Sequence, residues 1–140
     1  MSLTPRAIAG SARLHERISE DLRAKFRDRF VESKARDFAP DFVIRNDQRV
    51  AVIEIKTGDP SLPLPSSANT QMLILKDNAQ TKLGFRDVVP VLVTNYLIDD
   101  ADRKELEIGG IKVIIIQDPT YDSKALSDKI EGIVAGRADQ

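Results

Sequence analysis

Residues Pro40 to Gly58 read PDFVIRNDQRVAVIEIKTG, a hairpin pattern around which the rest of the chain is arranged. Two runs rich in Val and Ile flank the polar cluster Arg45-Asn46-Asp47-Gln48-Arg49, residue types that turn a chain between antiparallel strands. A turn centred on Asp47 and Gln48 makes the numbers of facing residues sum to 95, so that Val43 faces Val52 and Asp41 faces Glu54. Directly opposed side chains sit about 4.5 to 5.5 Å apart at Cβ, where two carboxylates repel unless something compensates. Side chains alternate with a period of two, which puts Lys56 on the face of Glu54. The hairpin is therefore expected to present two acids and an ammonium group together.

Clustered carboxylates suit hard divalent cations, which take oxygen ligands. A cation beside a lysine stabilises phosphoryl charge and favours hydroxide. The same residues also suit a half-buried strand with a solvated face, because Glu-x-Lys is common, so both readings stay open on the hairpin alone.

Pro40-Asp41, a spacer of twelve residues and Glu54-Ile55-Lys56 resemble the signature of the PD-(D/E)XK phosphodiesterase superfamily, the restriction-endonuclease-like nucleases. The order of elements resembles that family over roughly residues 8 to 96. The resemblance implies an α/β fold with an αβββαβ core, a mixed sheet flanked by helices, followed here by a C-terminal αβα extension. It also implies Mg²⁺ or Mn²⁺ held by Asp41, Glu54 and the backbone carbonyl of Ile55, with Lys56 positioning and polarising the attacking water. Glu16 on the first helix would complete the site. The activity implied is hydrolysis of phosphodiester bonds in DNA by an endodeoxyribonuclease, acting as a homodimer or within a larger restriction or repair assembly. Against it stands a non-catalytic nucleic-acid-binding or protein-interaction module that keeps the fold.

Composition bounds these readings. At 140 residues the chain is expected to form one domain, 1–140. No apolar run approaches the roughly 18 residues of a membrane span, and the absence of cysteine excludes a disulfide framework or thiolate zinc site. A cytoplasmic protein with no membrane partner is the expectation. The formal net charge is -1, but residues 1–36 carry +4 and residues 37–140 carry -5. A basic N-terminal element beside an acidic centre suits a phosphodiester substrate, with Arg13 and Arg17 as candidates to meet DNA. His15 is the only histidine and is assigned no catalytic part.

Residues 5 to 30 read as a helix with Ile18, Leu22, Phe26 and Phe30 at four-residue intervals. Among its acids Glu16 falls nearest the edge of that stripe. Val31 to Phe38 is expected to hold a first strand. After Lys56 the Pro-rich run from Asp59 to Ser67 reads as a connector at the edge of the site. A helix capped by Asn69 or Thr70 runs to about Leu83, with Gln71 near its start as the polar residue placed to approach substrate. Val88 to Asn95 reads as a strand covered on both faces and Ile111 to Gln117 as a second apolar strand, joined through a helix in a right-handed parallel crossover. Pro90 suits only the beginning of its strand. Asp122 to Val134 closes with a helix. The chain lacks GxGxxG and GxxxxGK[ST], which leaves a nucleotide-binding doubly wound fold without its phosphate cradle.

Overall fold

Strands β1 (Phe42–Asn46) and β2 (Arg49–Lys56) form the antiparallel hairpin. Phe42 pairs with Ile53, Val43 with Val52 and Asn46 with Arg49, the register that the turn chemistry predicts. This computed structural model describes residues 5–27, 42–46, 49–82, 84, 86–117 and 121–135. The expected strand at Val31–Phe38, together with Pro40 and Asp41, lies outside the described residues.

Helix α1 (Pro5–Lys25) precedes the hairpin, and α2 (Ala68–Lys82), β3 (Asp87–Thr94), α3 (Asp100–Ile108), β4 (Lys112–Ile115) and α4 (Ser123–Val134) follow it. The sheet runs β1-β2-β3-β4, with β1 antiparallel and β2, β3 and β4 mutually parallel. The fold is α/β, a mixed four-stranded sheet flanked by helices. None of the described helices is long and apolar enough to cross a membrane.

Alternation along β2 divides the core into two layers. Ala51, Ile53 and Ile55 pack with Leu14, Ile18 and Leu22 of α1, with Phe26 just past its end, and with Leu126, Ile130 and Val134 of α4. Val50 and Val52 turn the other way, toward Ala79 and Leu75 of α2, and Leu92 of β3 meets Met72 of α2 and Leu106 of α3 on that same side. Both parallel crossovers thus run over one face, while α1 and α4 cover the other.

Several local outcomes differ from the sequence reading. Helix α1 ends at Lys25, five residues before the expected end, although Phe26 is still buried and bonded through its N–H to the Leu22 carbonyl at 2.9 Å. Pro90 is the fourth residue of β3, inside the strand and not at its beginning. It is accommodated because β4 pairs with β3 only from Val91 onward, so at Pro90 the strand has a ladder partner on one side alone, Val52. Helix α2 starts at Ala68, one residue before Asn69. Strand β4, Lys112–Ile115, is shorter than the expected Ile111 to Gln117. Asp99 and Asp122 cap α3 and α4 by accepting backbone N–H bonds, and Gly84 takes φ 74° after α2.

At the N-terminal end of the parallel strands, Arg49 donates to Asp87 Oδ2 at 2.8 Å and to the Ile133 carbonyl at 3.2 Å. One guanidinium therefore ties β2, β3 and the last turn of α4, where a cation also suits the helix dipole. The pair is 34% and 49% exposed, so solvent screens much of it. Arg49→Met keeps the aliphatic stem and is expected to cost about 1 kcal/mol. The urea midpoint reads this, and an unmoved midpoint would show that the tie contributes nothing.

On the α1 side, the Tyr121 hydroxyl donates to Asp21 Oδ2 at 2.6 Å, and the Arg17 guanidinium lies 5.0 Å from the Tyr121 ring centroid. Burial, then the bond to Asp21 and its charge, push the phenol above its ordinary value of 10.0. Above about pH 10 the unfolded chain has lost this proton while the folded chain keeps it, so the contribution is whole below pH 10 and is lost as pH rises beyond it. Tyr121→Phe should be less stable by about 1 kcal/mol at pH 8, with the gap to wild type narrowing as pH rises above 10. Denaturant melts across that range test the sign, and a widening gap would contradict it.

Candidate functional site

Glu54 and Lys56 share the sheet face of Val50 and Val52, and both are half-buried. Their neighbours in the β3 register are Leu92 and Thr94, both fully buried. A carboxylate and an ammonium group thus rise side by side from an otherwise apolar row at the C-terminal end of β2. That end is where loops leave the parallel strands and where open α/β sheets place their ligands. Ile55 sends its side chain into the opposite core, which leaves only its backbone to serve this face.

The other proposed residues fall in different places. Asp41 lies outside the described residues, and the observed ladder begins one step on, at Phe42 opposite Ile53. Glu16 is exposed on α1, whose buried stripe packs on the Ala51–Ile53–Ile55 side. The structure thus puts Glu16 and Glu54 on different layers. Arg13 and Arg17 share that far layer with Glu16, and Arg17 is held over Tyr121. Gln71 is exposed in the first turn of α2, bonded through its N–H to the Ser67 carbonyl at 3.0 Å. Because α2 returns from the C-terminal end of β2 to the start of β3, Gln71 stands at the same end of the sheet as Lys56. His15 lies within α1, where the Ser19 hydroxyl donates to its carbonyl at 2.9 Å.

Among the described residues, no three His, Asp or Glu side chains gather as a metal-holding group. Mg²⁺ is commonly bound through one or two carboxylates with retained waters. Glu54 fits that chemistry as one ligand, and Asp41 is the residue on which a second depends. Comparison with protein-family models, with curated proteins and with solved structures finds no match to this chain.

Several residues around this end of the sheet escape sequence reasoning. Asn95, buried just past β3, accepts from the Gly58 N–H at 2.9 Å and donates to the Gly58 carbonyl at 3.0 Å. Tyr96 covers Gly58 so closely that a Cβ there would run into its ring and hydroxyl. The Tyr96 N–H is bonded to Thr94 Oγ1 at 3.1 Å. The Pro-rich connector is a fixed wall. Leu64 donates to the Leu97 carbonyl at 2.8 Å and Leu97 donates to that of Leu62 at 3.0 Å. Asp59 accepts from the Ser61 hydroxyl and amide, and these bonds hold its carboxyl below the ordinary value. Arg23 lies 5.5 Å from the Phe42 ring centroid, which sets a cation beside the start of β1. A groove of about 240 Å³ between β4 and α4, lined by Ile114, Ile116, Tyr121 and Leu126, opens on the layer away from Glu54 and Lys56.

Proposed function

We propose that this protein is a metal-dependent nuclease that hydrolyses phosphodiester bonds in DNA, with a restriction-endonuclease-like core. The observation that carries the reading is the hairpin register. Its pairs sum to 95 from Asn46–Arg49 out to Phe42–Ile53, and one further step would set Asp41 opposite Glu54 on the face that also bears Lys56. A sheet with an antiparallel β1 beside parallel β2, β3 and β4 is compatible with that core.

In this proposal Asp41, Glu54 and the Ile55 carbonyl hold Mg²⁺ or Mn²⁺, which when bound supplies positive charge to the phosphate and leaving oxygen. Lys56 orients and polarises the attacking water. Gln71 approaches the substrate from the start of α2. Glu16 would have to reach past the strand ends from the opposite layer, and Arg13 and Arg17 would meet DNA beyond the site. A non-catalytic module with the same fold is the second reading, favoured by one observation: the described residues form no metal-holding group.

Incubation with plasmid, linear and single-stranded DNA, in Mg²⁺, in Mn²⁺ and in chelator, separates the two. Cleavage that needs the metal and disappears in Glu54→Gln is expected. Intact DNA under every condition would leave only the binding module.

A further inference from the structure

The β2–β3 ladder ends at Lys56 opposite Thr94, yet the chain stays tied for two more residues. Asn95 supplies the tie. Its side-chain amide meets both the N–H and the carbonyl of Gly58, at 2.9 and 3.0 Å, as a backbone peptide of a continuing strand would. Asn95 is 7% exposed, so these bonds are sheltered from water, and every one of them that breaks leaves a buried polar group unpaired. Tyr96 lies over the space a side chain at Gly58 would need, and the Leu62–Leu97–Leu64 bonds pin the following loop to the same exit of β3. The end of β2 that carries Lys56 is thereby closed against fraying from the side of β3.

We propose that Asn95 is a positioning residue for Lys56. Resting on the nuclease reading above, this inference gives the buried amide the task of holding the end of β2 so that the ammonium group stays aligned on the attacking water. A lysine presented on the last residue of a strand inherits every movement of that strand end. Misplacement by about 1 Å in a reacting constellation can cost on the order of 100-fold in rate.

Asn95→Asp tests the role with an isosteric side chain. At neutral pH the carboxylate still accepts from the Gly58 N–H but faces the Gly58 carbonyl with a second acceptor. Protonation at acid pH restores the donor. Cleavage of DNA in Mn²⁺, assayed well below the melting temperature of each protein, should show kcat lowered about 100-fold at pH 8 with KM changed by no more than about threefold. Calorimetric Mn²⁺ affinity should stay within about the same factor, and the kcat deficit relative to wild type should shrink as pH falls toward 5. A kcat within about threefold of wild type at pH 8, in a variant that only melts earlier, overturns the positioning role. A wild type that neither cleaves nor binds Mn²⁺ overturns the nuclease reading and this inference together. Should Asn95→Asp not fold, amide hydrogen exchange on the wild type decides. The Gly58 amide is expected to exchange as slowly as those of Ile53 and Ile55, and exchange at the rate of an open loop overturns the proposal.

Discussion

Lys56→Ala is expected to lower the rate of DNA hydrolysis by about 10²- to 10⁴-fold, the usual worth of a group that assists proton transfer in the transition state. Mn²⁺ affinity should stay the same or rise slightly. Lys56 is assigned to the water and not to the metal, and removing an ammonium group beside Glu54 removes a charge that repels the cation. The fold should persist, because Lys56 is half-buried at the end of β2 and belongs to none of the apolar clusters. Circular dichroism establishes that persistence, single-turnover cleavage gives the rate, and calorimetric titration of Mn²⁺ gives the affinity. Metal binding lost together with activity would contradict the role given to Lys56, since only a ligand behaves that way.

The hairpin was legible because two local signals agree. The polar run Arg45 to Arg49 marks the turn and sets the pairing, and the Val- and Ile-rich runs on either side of it mark the two strands. The apolar run of β3 was legible because a strand covered by helices on both faces carries no polar alternation, whereas β4 is apolar past Lys112 although only Ile114 of its four residues is buried. The side of the sheet that each helix covers was not legible. The stripe Leu14, Ile18, Leu22 shows that α1 buries one face, but nothing local states against which surface. The structure sets it on Ala51, Ile53 and Ile55, one residue out of phase with Glu54 and Lys56. An acid at the edge of a helical stripe can therefore be read, while its layer cannot.

The Asn95 amide escaped for a different reason. An Asn closing an apolar strand and a Gly two residues after Glu-x-Lys are both visible, and each suits an ordinary turn. Their pairing across 37 residues depends on β2 and β3 being parallel neighbours in register, which is a property of the assembled sheet. Tyr96 adds the same lesson, because Gly58 is required by what lies over it and not by its own turn.

Asp41→Asn separates the two functional readings by sign. If the hairpin register carries on to Asp41 opposite Glu54, the metal-free protein holds a like-charge pair on one face, and neutralising one member should relieve about 0.2 to 1 kcal/mol. The variant is then expected to melt slightly above wild type in chelator. Millimolar Mg²⁺ or Mn²⁺ should reverse that order. A ligand that binds only the folded state stabilises it by mass action, about 2.7 kcal/mol at a hundredfold excess over its dissociation constant, and the variant has given up one of the carboxylates that hold it. Glu54→Gln is expected to lose the rise brought by metal in the same way, because it gives up the other proposed carboxylate ligand. Thermal melts of the three proteins, each in chelator and in metal, supply the comparison. Equal shifts in all three, or none, would mean that the two acids do not share a cation, and the nuclease reading would go with them.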